Sequence, residues 1–174
     1  MKIPTIFFLF FFLTFHSTFA QNLNTIIKDP DLKNKKVMVG KCDRDGLKQG
    51  EYGLYFKSQY EVYEPSTKYV EQMKTKINLV DITVVLGTWC SDSKIQVPRF
   101  FKLLDQAGYN EKRMTIIGVS RKKLAFTTNI EHLNIKLVPT FIVYQNGKEL
   151  GRITETPKKS LERDLAKIIN KARL

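Results

Sequence analysis

One cysteine at the predicted start of a helix is the residue of this sequence best placed for covalent chemistry. It is Cys90, in the stretch GTWCSDSK at residues 87–94. The apolar run Ile82–Leu86 precedes the stretch and predicts a buried strand, and Lys94–Ala107 follows with apolar residues at helical spacing. Unpaired N–H groups and the helix dipole at such a helix start favour the thiolate, which is the nucleophile in thiol–disulfide exchange. The pattern therefore predicts a redox-active thiol.

The neighbours of this cysteine determine what a single thiol can do. Ser93, one helical turn after Cys90, can donate a hydroxyl hydrogen bond to the same sulfur. Lys94 adds positive charge nearby, and Asp92 opposes it. Because position 93 is not a cysteine, Cys90 can form a mixed disulfide but cannot release it within its own motif. An external thiol, the second thiol of the substrate, or Cys42 of this chain would then have to resolve it.

The other candidate ligands and nucleophiles are few. Cys42 falls in a segment rich in Gly, Asp and Lys, residues 40–50, which predicts a loop. The sequence leaves open whether it pairs with Cys90, resolves its mixed disulfide, or is an unpaired loop residue. His132 has no evident partner in the sequence, although a cysteine protease needs a histidine base with an orienting group. A zinc site needs more Cys and His residues than this chain has. No metal and no cofactor are predicted.

Strands and helices alternate around the cysteine. The predicted strands are Ile82–Leu86, Met114–Val119, Thr140–Tyr144 and, after an Asn146-Gly147 hairpin turn, Leu150–Ile153, with a short strand at Lys36–Val39. The predicted helices are residues 66–77, Lys94–Ala107 and a last helix opened by Thr156-Pro157 as cap and first-turn proline. Residues 121–136 predict a short helix and a loop. This order is typical of an α/β domain with a parallel portion and an antiparallel edge.

Four motifs in the right order resemble the thioredoxin family. Trp89-Cys90 stands between a strand and a long helix, and Pro98 lies where thioredoxins kink that helix. Residues 138–140, Val-Pro-Thr, resemble the family's cis-proline segment before a strand, and Gly147 falls at its usual turn. The resemblance covers about residues 79–174 and identifies a Trp-Cys-x-x-Ser variant of the Cys-x-x-Cys motif.

The resemblance implies a fold and a site. The fold is an α/β, thioredoxin-like three-layer sandwich, a mixed sheet of about four to five strands flanked by helices. Pro139, in the cis form, would lie against the cysteine and leave the Val138 backbone free to pair with an extended substrate segment. Two departures weaken fast dithiol turnover: Ser93 replaces the second cysteine, and Val84 stands where the family has a buried acid.

The ends and the charge of the chain suggest where it works. Residues 1–20 combine Lys2, a short apolar core and a small residue at Ala20, which predicts a signal peptide too short to span a membrane. An N-terminal extension, 21–65, and a thioredoxin-like domain, 66–174, would follow in an exported, periplasmic or secreted protein with no stable membrane anchor. The chain carries 29 Lys and Arg against 17 Asp and Glu. Its basic clusters are short and lack interleaved aromatics, so we expect a solvated basic exterior and no nucleic-acid partner, while the charge leaves open an acidic partner or an anionic membrane surface.

Two functions from different classes follow from these residues. The first is a thiol–disulfide oxidoreductase, a monothiol reductase or isomerase, with Cys90 and Ser93 as catalytic residues and Trp89, Asp92, Val138 and Pro139 in support. Its partners would be protein disulfides or a thiol donor. The second is a redox-inert binding module that holds a partner in the Pro139 groove and on the aromatic-rich segment at residues 51–63.

Overall fold

The computed structural model describes residues 23–173, so the predicted signal peptide lies outside the described residues. A six-stranded mixed sheet forms the centre of this part of the chain, in the order β1-β2-β4-β3-β5-β6. The strands are β1 Thr25–Asp29, β2 Lys35–Cys42, β3 Asp81–Leu86, β4 Met114–Gly118, β5 Thr140–Gln145 and β6 Lys148–Thr154. The helices are α1 Arg44–Leu47, α2 Gly50–Val62, α3 Thr67–Lys74, α4 Ser91–Ala107 and α5 Leu161–Ile169.

The centre of the sheet confirms the predicted α/β architecture. β3 and β4 are parallel and are joined through α4, whereas β5 and β6 run antiparallel as a hairpin at the edge. The predicted short strand at Lys36–Val39 lies within β2, and the sheet has six strands rather than four to five because residues 21–65 also supply β1. The N-terminal segment is therefore part of the same sheet. Among residues 23–173, no helix has the length and apolarity needed to cross a bilayer.

The loop predicted around Cys42 is wrong, because β2 continues through Gly40 and ends at Cys42. Gly40 pairs with Gly118 of β4 and has a φ of +75°, which glycine adopts at little cost. A Cβ atom on Gly118 would lie 2.5 Å from the carbonyl oxygen of Met38. Glycine thus permits a close approach of β2 and β4. The composition of the segment around Cys42, taken alone, instead suggests a loop.

The last helix begins later than predicted. Leu161 is its first residue, and the Ser160 hydroxyl accepts a hydrogen bond from the Arg163 N–H. Thr156-Pro157 lies before the helix, and the intervening Lys158 N–H is bound by the Asp164 carboxylate. The predicted start at Thr156-Pro157 is therefore wrong, because the helix is capped by Ser160 and carries acidic residues in its first turn.

Two apolar clusters cover the two faces of the sheet. The larger cluster joins alternate strand residues such as Val84 to side chains of α2, α3, α4 and α5. The smaller joins Val85 and Ile117 to the segment at residues 119–138, which contains one three-residue 3-10 turn, Glu131–Leu133. Trp89 and Cys90 pack against this smaller cluster. The cysteine therefore lies where the irregular layer meets the end of the sheet.

Candidate functional site

Cys90 is the N-cap residue of α4. Its backbone N–H donates to the Gly87 carbonyl at 2.9 Å, and its own carbonyl accepts the first helical hydrogen bond, from Lys94, at 3.0 Å. Turn and helix together hold the side chain at the helix start, where backbone N–H groups lack helical partners. The residue is partly exposed, and its thiol is free. Sequence reasoning placed the thiol at this position, and the fold holds it there.

The cis-proline segment forms the opposite wall of the site. The Val138–Pro139 peptide bond is cis, and the Cys90 thiol donates a hydrogen bond to the Val138 carbonyl at 3.1 Å. The start of α4 and the cis-proline segment form two walls of a groove of about 500 Å³. Its lining comprises Trp89, Cys90, Ser91, Asp92, Arg121, Lys123, Leu137, Val138 and Glu155. Four of the supporting and catalytic residues predicted from the sequence therefore meet in one groove: Trp89, Cys90, Asp92 and Val138.

Trp89 is fixed on three sides. Its indole N–H donates to the Val119 carbonyl at 2.8 Å. A Cβ atom on Gly87 would lie 2.6 Å from the indole ring, so the ring packs where only a glycine leaves room. The Arg121 guanidinium lies 4.8 Å from the ring centroid. The tryptophan is thus a rigid wall between the cysteine and a basic side chain.

Ser93 is fully buried and stabilises the turn before the helix. Its hydroxyl oxygen accepts a hydrogen bond from the Gly87 N–H at 3.2 Å. Its carbonyl accepts a hydrogen bond at 2.8 Å from the Tyr52 hydroxyl, which burial holds protonated by raising the tyrosine's pKa. The hydrogen bond from Ser93 to the Cys90 sulfur stays a prediction. Tyr52 is a site residue that the sequence analysis did not identify, because its hydrogen-bond partner lies 41 residues later in the chain.

Lys94 contributes less positive charge to the thiol than the sequence suggested. Its ammonium group lies 3.2 Å from the Glu51 carboxylate and 4.2 Å from the centroid of the Tyr55 ring. Both partners belong to α2 and not to the groove. The charge at position 94 is therefore largely compensated by the neighbouring helix.

Cys42 and Val84 lie in the core. Cys42 is the buried last residue of β2, and burial raises the pKa of its thiol to about 12. It is a free thiol and is not joined to Cys90. Val84 is fully buried, and its partners across the sheet are Ile116 and Phe141. An apolar residue thus fills the position where the thioredoxin resemblance implies an acid.

A basic turn from the irregular layer reaches the groove. Arg121 and Lys123 both line it, although the sequence suggested only a solvated basic cluster there. The Arg121 N–H donates at 2.7 Å to the carboxylate of Asp29, which is 1% exposed and is the last residue of β1. An isolated Asp near the N-terminus gives no local signal of this role, since its partner lies 92 residues later.

The comparisons concern the fold. No protein-family model matches the chain, and no curated protein matches it. An HIV epitope-scaffold protein is 15% identical over 70% of this chain and 83% of that one, with a TM-score of 0.49. Thioredoxin f from spinach chloroplast is 20% identical over 59% of this chain and 77% of that one, with a TM-score of 0.40. Fasciola hepatica thioredoxin is 14% identical over 59% of this chain and 89% of that one, with a TM-score of 0.38. By its sheet topology the chain has an α/β, thioredoxin-like fold.

Proposed function

We propose that the protein is an exported thiol–disulfide oxidoreductase that acts through Cys90 as a monothiol reductase or isomerase. One observation carries the proposal. The Cys90 thiol stands at the N-terminus of a long helix, partly exposed in a groove, with its sulfur 3.1 Å from the Val138 carbonyl next to a cis-proline. A thiol in this position is reachable by an incoming disulfide and lies beside backbone that an extended segment can pair with.

The chemistry balances as thiol–disulfide exchange. The Cys90 thiolate attacks one sulfur of the substrate disulfide, the substrate S–S bond breaks, and the departing sulfur leaves as a thiolate that takes up a proton. A first external thiol attacks the mixed disulfide at the Cys90 sulfur and releases the reduced substrate, and a second external thiol then frees Cys90 and leaves as the disulfide of the external thiol. In isomerisation, the departing thiol instead attacks another disulfide of the substrate, and the thiolate set free there attacks the mixed disulfide and releases Cys90. Cys42 is not expected to resolve the intermediate, because its buried thiol has a pKa of about 12.

The Val138 carbonyl couples these steps to substrate docking. In the free protein it accepts the hydrogen bond of the Cys90 thiol. Loss of the thiol proton ends that hydrogen bond and leaves the carbonyl oxygen available to a backbone N–H of the substrate. An extended peptide would then lie along Val138 with its disulfide against the Cys90 sulfur. This orientation suits protein disulfides as substrates.

A reduction assay tests the proposal. Mature protein should reduce a model protein disulfide in the presence of a small thiol, and Cys90→Ser should abolish the activity. Cys42→Ser is the matched control, since it removes the other thiol and should leave the rate unchanged. A Cys90-linked mixed disulfide, trapped by rapid acid quenching and measured by intact mass, would support the mechanism. Equal rates for wild type and Cys90→Ser would refute it.

The second candidate is a redox-inert binding module. A second cavity, of about 490 Å³, lies along α1 and α2, and aromatic residues Phe56 and Tyr60 of the predicted docking segment line it with the exposed Leu54. A partner held there would bind regardless of the thiol. Partner capture that survives Cys90→Ser, together with absence of disulfide reduction by the wild type, would favour this function over the first.

Export is tested separately. The intact mass of the protein recovered from the periplasm or the medium should correspond to a chain that begins at Gln21, after cleavage at Ala20. A product that keeps residues 1–20 would contradict the exported assignment without affecting the chemistry of Cys90.

A further inference from the structure

We propose that Arg121 and Lys123 form a carboxylate-binding subsite in the Cys90 groove, so that the protein selects disulfides with a carboxylate beside the reacting sulfur. The proposal rests on the proposed function, because it names the substrate class of the same site. Both side chains line the groove with the cysteine. The subsite lies at the Trp89 side, where the Arg121 guanidinium covers the indole ring.

The backbone of the basic turn is built to hold these side chains in place. The Ser120 N–H donates to the Leu124 carbonyl at 3.0 Å, and the Lys123 N–H donates to the Ser120 carbonyl at 2.8 Å. The Ser120 hydroxyl accepts a third hydrogen bond, from the Leu124 N–H. The buried Asp29 carboxylate then ties the Arg121 N–H to the end of β1. Four hydrogen bonds thus fix the backbone from which the two cations extend, so that only the two side chains have to be ordered when a ligand binds.

The two cations of the groove are not held in ion pairs within the described part of the chain. Among the described residues, neither Arg121 nor Lys123 makes a salt bridge, although nine ion pairs are present elsewhere. The intervening Lys122 is different, since its ammonium group lies 3.5 Å from the Asp31 carboxylate. The turn therefore pairs one of its three cations within the protein and leaves two for a ligand.

The groove also contains two acids, Asp92 and Glu155, and their placement gives the site a direction. The Glu155 N–H donates to the Pro139 carbonyl at 2.7 Å, so this residue belongs to the cis-proline wall. Asp92 is in the first turn of α4, next to the cysteine. Arg121 thus places positive charge on the Trp89 side, and Glu155 places negative charge on the Pro139 side. A bound segment is expected to carry its carboxylate towards Trp89 and no carboxylate towards Pro139.

Carboxylates near a disulfide come from two sources. One is an acidic residue next to a cystine of a protein or peptide chain, and the other is the disulfide of a small carboxylate-bearing thiol such as oxidised glutathione. In both cases the exchange step is the one written above, with the carboxylate held as a spectator by the two cations. The shared chemistry is an anion within a few ångströms of the sulfur that Cys90 attacks.

Single-turnover kinetics with two aromatic disulfides that differ in charge tests the subsite. Dithiobis(nitrobenzoate) carries a carboxylate on each ring, whereas dithiodipyridine carries none, and both release a chromophore when Cys90 attacks. The measured quantity is the second-order rate constant for dithiobis(nitrobenzoate) divided by that for dithiodipyridine. Arg121→Gln and Lys123→Gln should each lower the ratio about fourfold, the effect of unit charges about 5 Å apart in water. The loss should shrink as salt is added.

Two further variants serve as controls. Lys148→Gln removes the same charge at the opposite end of β6, about 20 Å along the strand from Glu155, and should leave the ratio unchanged. Glu155→Gln removes a negative charge from the groove and should raise it. Equal ratios in wild type, Arg121→Gln and Lys123→Gln, with both probes still reacting at Cys90, would overturn the subsite and leave the proposed function intact.

Two further experiments distinguish the two sources of the carboxylate and test binding at the subsite without any disulfide exchange. A cystine peptide flanked by Glu is compared with the same peptide flanked by Gln, and oxidised glutathione is measured beside them. The source that Arg121→Gln slows is the one the subsite recognises, and slowing of neither contradicts the proposal. If no disulfide reacts, the proposed function fails. A linear Glu-containing peptide titrated against the fluorescence of Trp89, the only tryptophan, still decides the subsite by comparison with its Gln analogue.

Discussion

Replacing Asp29 by alanine should destabilise the fold strongly, although the residue lies in the segment that sequence analysis set apart as an extension. Its carboxylate is 1% exposed, and its two oxygens accept hydrogen bonds from different N–H groups. Oδ1 accepts from Asp31 at 3.0 Å and Oδ2 from Arg121 at 2.7 Å. Asp29→Ala removes both acceptors and leaves two backbone donors to find water or remain unpaired.

The magnitude follows from the type of each hydrogen bond. The first is an N-cap interaction, because Asp29 caps the 3-10 turn Pro30–Leu32, and loss of such a cap costs about 1 kcal/mol. The second is a charge-assisted bond between distant segments, for which about 1.5–3 kcal/mol is typical. Together they predict a decrease of about 3 kcal/mol in the free energy of unfolding. That is a large fraction of the roughly 5–15 kcal/mol that stabilises an ordinary domain.

Urea denaturation followed by Trp89 fluorescence measures the effect. With an m-value of about 1–3 kcal/mol/M, a loss of 3 kcal/mol lowers the midpoint by about 1–3 M. Trp89 is a suitable reporter because it is the only tryptophan and lies under Arg121, whose N–H loses its acceptor. Its emission in the native state should therefore change as well.

Asp31→Ala is the matched control. It removes an acid two residues away whose carboxylate, within residues 23–173, pairs only with the exposed Lys122, at 3.5 Å. An exposed pair of this kind contributes about 0–1 kcal/mol, so the control should stay near wild type. If Asp29→Ala were as stable as Asp31→Ala, the reasoning that the N-terminal strand anchors the basic turn would be refuted.

Three other predictions concern the thiols and one ion pair. At neutral pH, alkylation of the native protein should modify Cys90 and not Cys42, whose pKa of about 12 lowers its thiolate fraction about a thousandfold; modification of both before unfolding would contradict its burial. Ser93→Cys puts a second thiol one turn after the first, so the air-oxidised variant should yield two additional thiols on reduction, counted with a chromogenic thiol reagent; an unchanged count would show that position 93 cannot pair with Cys90. Burial tends to raise the pKa of Asp105, but two hydrogen bonds of 2.8 Å from Arg44 help to lower it overall. A lowered folded-state pKa stabilises the protein above the unfolded value of about 3.9 and less as pH falls through the folded value. The difference in unfolding free energy between wild type and Asp105→Asn should therefore narrow from pH 7 to pH 3, and a constant difference would argue against a role for this charge.

Local patterns predicted the framework of the site well. The apolar run before Cys90 and the helical spacing after it encode a strand and a helix within some 25 consecutive residues, so the strand–helix junction needs no information from elsewhere. Hairpin and core strands follow from the same kind of signal. The final helix begins at Leu161 and not at Thr156-Pro157, because Ser160 supplies the cap.

By itself, then, the sequence determined the position of the Cys90 thiol, the α/β class and the groove wall at residues 138–140. The tertiary structure decided which distant side chains hold the segments around that thiol. Tyr52 reaches Ser93 across 41 residues, and Asp29 reaches Arg121 across 92. The physical reason is that secondary structure is governed by neighbours in the chain, whereas a hydrogen bond between distant segments depends on two strands or helices arriving at the same place. Burial of Cys42 is of the same kind, because only the paired sheet shows that a glycine-rich segment is a strand.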